Sequence, residues 1–129
     1  MKAILDGIWT RLSGATVYTT LGGRIYLNQG PADALLPLMV YSAPETGVER
    51  IMGGVVKYTM DIEFTIFYDN GGTTAIHTIA DQLATALSTT ATATGFDRIS
   101  FVRLNGGVPA FSDDSWSMTE RYRATAFDI

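Results

Sequence analysis

VKYTMDIEFTIFY, residues 56–68, is the stretch that decides the fold of this 129-residue chain. Apolar side chains occupy every second position, and polar or charged side chains such as Asp61 and Glu63 fall between them. Successive side chains of a strand point to opposite faces of its sheet, so an alternation this long predicts a strand with one buried face. The apolar positions are Val56, Tyr58, Met60, Ile62, Phe64, Ile66 and Tyr68.

One helix is predicted before this strand in the sequence, and a second is predicted after it. Apolar residues four apart predict an amphipathic helix over residues 1–13. A second stripe follows a run of turn residues, and it predicts a helix that Thr73 or Thr74 caps and that ends before Thr89. The stripes consist of Ile4, Ile8 and Leu12 in the first helix and of Ile76, Ile79, Ala80, Leu83, Ala86 and Leu87 in the second.

Shorter strands and their connections complete the pattern. Residues 43–54, APETGVERIMGG, hold Pro44 and three glycines, so local preference specifies the backbone poorly there and predicts a long flexible hairpin loop. Residues 15–21 favour a helical turn, and residues 88–95 are predicted to be a linker of small residues. The shorter strands are predicted at residues 24–28, 37–42, 98–104 and 116–128.

The order of these elements predicts an α+β fold for one domain that spans residues 1–129. It runs helix, three strands, helix, two strands, which gives a mainly antiparallel sheet of about five strands with two helices packed on one face.

Composition excludes several classes of function. There are no cysteines, so disulfides and thiolate chemistry are excluded, and assembly in the cytoplasm is expected. Nine basic against 13 acidic residues leave a net charge of −4, which disfavours stable binding to nucleic acid. The first 12 residues contain Asp6 and Arg11 and resemble neither a signal peptide nor a membrane span, so no membrane partner is expected.

Four charged residues predict how two of the strands pair. Arg121 and Arg123 fall on the face of the last strand opposite Tyr122, as Asp61 and Glu63 do on the long strand. If the strands pair antiparallel, opposite charges face each other, and each pair contributes about 0.2–1 kcal/mol. The alternative is a solvated charged face without specific pairs.

No set of residues predicts catalysis, a cofactor or a metal. His77 is the only histidine, and Asp81 lies one helical turn beyond it, but no second histidine or nucleophile motif accompanies them. Asp61 and Glu63 could form an acid and base pair, yet their neighbours form an ordinary polar sheet face. The adjacent Asp113 and Asp114 lack the spacing of a calcium loop. We therefore expect a protein that is not an enzyme.

The chain resembles a known family over nearly its whole length. The resemblance consists of the first helix, GGRIYLNQGPADALLPLMVYS at residues 22–42, the long alternating strand, a helix with IADQLATAL at residues 79–87, and two closing strands. This arrangement is similar to that of phage tail-completion or tail-terminator proteins, also described as head–tail joining proteins. The shared pattern consists of packing and turn residues and brings no catalytic residues.

The resemblance implies a structural protein of the virion, located in the tail or neck. Members of that family are expected to form a homohexameric ring that caps the tail tube, contacts the tail tube protein and the head-connector proteins, and leaves a channel through which DNA passes. An acidic lumen would repel DNA phosphates and so avoid trapping the genome.

A ring would also explain the composition of the predicted loop. Arg50, Ile51 and Met52 place apolar side chains on a flexible arm, which is costly in water unless a partner covers them, so contact with a neighbouring subunit or the tail tube is expected. A loop without a partner is the alternative. The other functions to weigh are a tail-tube or other virion subunit, and a small ligand-binding or hydrolytic domain using His77, Asp81 or Asp61.

Overall fold

The computed structural model describes residues 2–30, 35–50, 52–69, 74–112 and 115–128. Side chains are described throughout these ranges except at positions 44–46, 50, 52 and 112. The helices and strands follow in the order α1 (Lys2–Ser13), α2 (Thr16–Thr20), β1 (Ile25–Leu27), β2 (Leu38–Arg50), β3 (Val56–Tyr68), α3 (Thr74–Ala86), β4 (Phe96–Asn105), β5 (Ala110–Ser112) and β6 (Ser115–Asp128), and Met52–Gly54 form a 3-10 turn between β2 and β3.

The strand β3 lies at the centre of one six-stranded sheet. The strand order is β1-β2-β3-β6-β4, and β5 pairs with β6 beyond the end of β4. Both neighbours of β3 run antiparallel to it, with Phe64 opposite Tyr41 of β2 and opposite Glu120 of β6. Among the described strands, only β1 runs parallel to its neighbour, with Tyr26 opposite Val40 of β2.

The helices pack against one face of this sheet and bury the apolar side of β3. The side chains of Ile62, Phe64 and Ile66 have no exposed surface, whereas the alternating residues between them stay partly exposed on the other side. Burying each such side chain contributes about 1.5–3 kcal/mol. The core also includes Ile4, Ile8 and Leu12 of α1, Met39 and Tyr41 of β2, Ile76, Ile79 and Leu83 of α3, Ile99 of β4, and Met118, Tyr122, Ala124 and Ala126 of β6.

The class, α+β, and the long central strand agree with the sequence, but the sheet differs in three details. It is mixed rather than purely antiparallel, since β1 pairs parallel with β2. It has a sixth strand, β5, within the segment expected to be a loop between the last two strands. The short helix α2, which packs against α3, is additional to the two helices expected.

The prediction of a long loop over residues 43–54 is wrong, because most of this segment belongs to β2. The strand β2 continues to Arg50 and pairs with β3 up to Arg50 opposite Val56, with a register shift between Ser42 and Glu45. The bulge accommodates Pro44, and pairing with β3 overrides the weak local preference of a glycine-containing segment. The turn itself is confined to the residues between the two strands.

A close crossing fixes how α1 sits against the rest of the chain. The segment that follows α3 passes over Gly7, and a Cβ atom added there would collide with the carbonyl oxygen of Thr92. Only glycine permits this approach without a shift of backbone. Next to the crossing, Ala91 and Ile99 exchange backbone hydrogen bonds of 2.9 and 2.8 Å, so the segment is tied to β4.

We predict that Gly7→Ala destabilises the protein although alanine favours helices. We expect a net loss of about 1–2 kcal/mol, because overpacking costs about 1–3 kcal/mol and alanine regains up to about 1 kcal/mol of helix propensity. Urea unfolding followed by circular dichroism measures the difference. Gly14→Ala is the matched control, since its Cβ would meet only the carbonyl oxygen of Thr10 at 3.6 Å. Equal stability of Gly7→Ala and wild type would contradict the crossing.

Candidate interaction surfaces

The sheet face opposite the helices carries two ion pairs at its centre. The strands β3 and β6 place Asp61 opposite Arg123 and Glu63 opposite Arg121. Nε of Arg123 donates to Oδ1 of Asp61 at 2.7 Å and its second guanidinium nitrogen donates to Oδ2 at 3.2 Å, which makes this pair bidentate. Arg121 forms a salt bridge with Glu63. Sequence reasoning placed these four side chains on one face, and the structure brings them together in two pairs.

Hydroxyl groups extend the same face beyond the ion pairs. The hydroxyls of Thr65 and Thr119 lie 3.1 Å apart across β3 and β6. The neighbouring row in the other direction pairs Thr59 with Thr125. In the described part of the chain no helix covers this side, so the face is polar and solvated, and its paired charges cancel.

The Arg123 guanidinium lowers the pKa of the Asp61 carboxyl below its ordinary value. Hydrogen bonding to Arg123 is the largest cause, and partial burial opposes it. A carboxyl whose pKa is lower in the folded than in the unfolded state stabilises the fold at pH values above the unfolded pKa. That contribution disappears as the pH falls through the folded-state pKa.

The turn end of the β2–β3 hairpin is exposed to solvent. Val48 is 64% exposed near its end, and a Cβ added at Gly47, Gly53 or Gly54 would meet nothing within 4 Å. We call residues 45–54 the arm. Arg50 ends β2 within it, while Ile51 and the side chains of Arg50 and Met52 lie outside the described residues.

A buried carboxylate that sequence reasoning missed holds the chain between β4 and β5. Glu120 is 1% exposed and lies on the helix-covered face between Met118 and Tyr122. Its Oε1 accepts a hydrogen bond of 2.7 Å from the guanidinium of Arg103, and its Oε2 accepts one of 2.9 Å from the backbone N–H of Gly107. The signal was in the alternation of β6, because a glutamate at a core-facing position requires a partner.

His77 does not take part in a site with the acidic residues considered beside it. It is exposed on α3, and Asp61 lies on the opposite face of the sheet. A cleft of about 460 Å³ between the helices includes Asp81, Gln82 and Arg11 among its lining residues, but His77 is not one of them. His77 is therefore not positioned to act as a general base in this cleft.

Neither a metal site nor a membrane span appears among the described residues. No group of three or more histidine, cysteine, aspartate or glutamate side chains in these ranges is arranged to hold a metal ion. Asp113 and Asp114, the adjacent aspartates of the sequence, lie outside these ranges. Within the same part of the chain, no helix is long and apolar enough to cross a bilayer.

Two comparisons with known proteins, one by sequence family and one by structure, found matches. The family described as "Tail completion protein gp17" matches residues 7–124. A solved structure titled "Virion of native gene transfer agent (GTA) particle" contains a chain of similar fold, with a TM-score of 0.72 and 16% sequence identity, over 98% of this chain and 96% of that chain. At this identity the likeness shows a shared fold. Among curated proteins, none has a matching sequence.

We predict that Asp61→Asn lowers stability at neutral pH but not in acid. The loss should be about 0.2–1 kcal/mol, because the pair is largely solvent-exposed. The gap between variant and wild type should close as the pH falls below the ordinary aspartate pKa of about 3.9 and through the lower pKa of the folded wild type, where the carboxyl becomes protonated. Thermal melts across this range test it, with Asp97→Asn on β4 as a control for the lost charge. A gap that is constant with pH would contradict the prediction.

We predict that Glu120→Gln costs more stability than Glu63→Gln. The first change leaves a buried site without a charged partner for Arg103 and weakens the bond to Gly107, and it should cost about 1–3 kcal/mol. The second breaks a surface pair and should cost less than about 1 kcal/mol. Urea unfolding of both variants gives the comparison. Equal losses would show that Glu120 is no more important than a surface carboxylate.

Proposed function

The chain belongs to the family of tail completion protein gp17, and we propose that it completes the tail by forming a ring that caps the tail tube and offers the surface for joining the head. Family membership makes it a structural protein of the phage virion, located in the tail or neck. Beyond family membership, we propose that the protein forms a ring, that the ring has six copies and that it joins the tail to the head. The match of residues 7–124 is the observation that carries it.

The surface of the protein supports assembly rather than chemistry. Large hydrophobic side chains such as Val48, Val102 and Val108 are exposed. In addition, only 17% of the residues are charged. Exposed apolar groups that lie close together are costly in water unless another surface covers them. The cleft between the helices does not include the lone imidazole among its lining residues, so the hydrolytic alternative finds no support from His77 in this cleft.

The arm is the element that we assign to contacts outside the subunit. Its two strands are paired with each other, so it is an ordered hairpin end rather than a loose connection. In the sequence, Arg50, Ile51 and Met52 follow one another where β2 ends and the connection to β3 begins, and we propose that a neighbouring subunit or the tail tube protein contacts them. The head-connector proteins are the proposed partners on the opposite side of the ring.

DNA is proposed to pass through the ring without stable binding. The chain has a net charge of −4, and an acidic lumen repels phosphates, so the genome is not held during transit. Tight, salt-sensitive binding of duplex DNA by the purified protein would contradict this part of the proposal.

We predict that the protein forms closed hexamers. Light scattering after gel filtration should give six times the subunit mass of 14.0 kDa, either for the free protein or for the complex released from purified tails. Electron microscopy then separates a single ring from the long tubes expected of a tail-tube subunit. A different copy number both in solution and in tails would refute the hexamer, and long tubes of purified protein would favour the tube subunit.

His77→Ala is the matched control for this experiment. Because the imidazole is exposed and is not part of a site with the acidic residues, its loss should leave ring formation and tail completion unchanged. Complementation of a phage that lacks the protein measures tail completion. If the variant forms normal rings but completed virions are lost, a chemical role for His77 would be supported.

A further inference from the structure

Half of the exposed large hydrophobic residues lie along one edge of the sheet. Eight such residues occur in the described part of the chain, and four belong to β4, β5 and the connection between them. Val108 is 83% exposed and Phe111 57%. The four are Val102, Leu104, Val108 and Phe111, and we call this stretch, residues 101–112, the β4–β5 edge.

The backbone of this edge is also open. The strand β4 is the last in the order of the sheet, and within the described ranges its outer side pairs only through Ile99, which exchanges hydrogen bonds with Ala91. Because N–H and C=O groups of a strand alternate between its two sides, those of Phe101 point outward like those of Ile99. An open, apolar strand edge is a template for pairing with another chain.

The opposite side of the sheet has a second open edge. In the described residues β1 pairs only with Met39–Tyr41, so the outer side of β2 is uncovered from position 43 to 50. Two more exposed hydrophobic residues, Val48 of β2 and Leu27 of β1, lie on this side. We call positions 43–50 the β2 edge. The two open edges therefore lie at opposite ends of the strand order.

The two edges differ in the charged side chains that they expose. Glu49 is exposed on the β2 edge, and Arg98 is exposed on β4 beside Asp97, next to the β4–β5 edge. Arg103 within the β4–β5 edge is already paired with Glu120 of the same subunit. Contact between unlike edges allows Glu49 to meet Arg98, which favours it over contact between two copies of the same edge.

We propose that the β4–β5 edge of one copy pairs with the β2 edge of a second copy, so that the sheet continues from subunit to subunit. This inference rests on the proposed ring and names the surfaces that form it. Contact between two different surfaces of identical subunits is heterologous, and it closes into a ring when the rotation fits. The exposed side chains of both edges are covered in that contact.

The strand directions fit this pairing. The strand β3 is antiparallel to both β2 and β6, and β4 is antiparallel to β6, so β4 runs opposite to β2 within one subunit. A rotation axis along the strands preserves their directions in every copy. The β4 strand of one copy then meets β2 of the next in antiparallel orientation, the arrangement that the hairpins of this sheet already use.

Glu120 helps to present one of these edges. Through Gly107 it fixes the connection between β4 and β5 to the middle of β6, and a Cβ added at Gly107 would collide with the backbone of Thr119. The connection is thereby held flat against the sheet, with Val108 facing solvent. The edge is ordered before a partner arrives, which lowers the entropic cost of binding.

Cysteine cross-linking tests the pairing directly, since the chain has no natural cysteine. Glu49→Cys is combined in turn with Ser100→Cys and with Val102→Cys, because all three positions lie on the sheet face opposite the helices. Within one subunit the two edges are separated by three strand spacings, about 14 Å, so a bismaleimide that spans about 8 Å links only different copies. We expect at least one pair to give a ladder from dimer to closed ring.

Three controls interpret the ladder. Each single cysteine variant should remain uncrosslinked, and a dimer from Val102→Cys alone would indicate contact between two β4–β5 edges instead. Thr78→Cys on α3 combined with Val102→Cys should give no ladder. The reaction is run on purified protein and on assembled tails. Six copies per tail without an edge ladder would overturn this inference and leave the proposed ring intact, whereas tails without a ring would overturn both.

A second measurement does not depend on cross-linking. Val102→Asp and Val108→Asp should weaken self-association at least about tenfold, because each buries a charge in the contact. Thr78→Asp adds the same charge on the helical side and should have no such effect. Circular dichroism and thermal melts confirm that all three variants fold, since the three positions are exposed. Normal association of both valine variants would overturn the proposal.

Discussion

The pairing of β3 with strands on both of its sides is the constraint on which the rest of the structure depends. Its alternation assigns every second side chain to a helix-covered core and the others to a solvated face, and both neighbours must adopt a matching register. The register that buries Met60 and Ile62 also sets Asp61 opposite Arg123. Hydrophobic burial supplies the larger energy, and the ion pairs select the alignment.

This arrangement leaves the edges of the sheet as the places where the fold is incomplete. The centre is fully paired, yet β1 covers only three residues of β2, and β4 is covered on its outer side at one bridge among the described residues. Soluble monomers usually protect such edges with charges, bulges or a covering helix. Here a bulge and a few charges are present, but exposed valine and phenylalanine side chains remain, which is a pattern expected of a subunit rather than of an isolated domain.

Much of the fold could be predicted because its strongest signals are periodic. The alternation of residues 56–68 and the stripe of α3 each extend over 13 residues, so tertiary contacts reinforce what the local pattern indicates. The second half of β2 could not be predicted in this way, because a proline and a glycine weaken the local signal and only pairing with β3 defines it. The strand β5 is three residues long and is defined by its pairing with β6, so no local sequence pattern predicts it.

The interaction surfaces were harder to predict than the core for a related physical reason. A core residue is recognised by its own pattern, whereas an open edge is defined by what does not pair with it, and that depends on the order of strands in space. Val102 and Val108 look like ordinary strand residues in sequence, and they become informative once β4 is known to be the last strand. Glu120 shows the opposite case: its position in the alternation of β6 already demanded a partner, and Arg103 and Gly107 supply it.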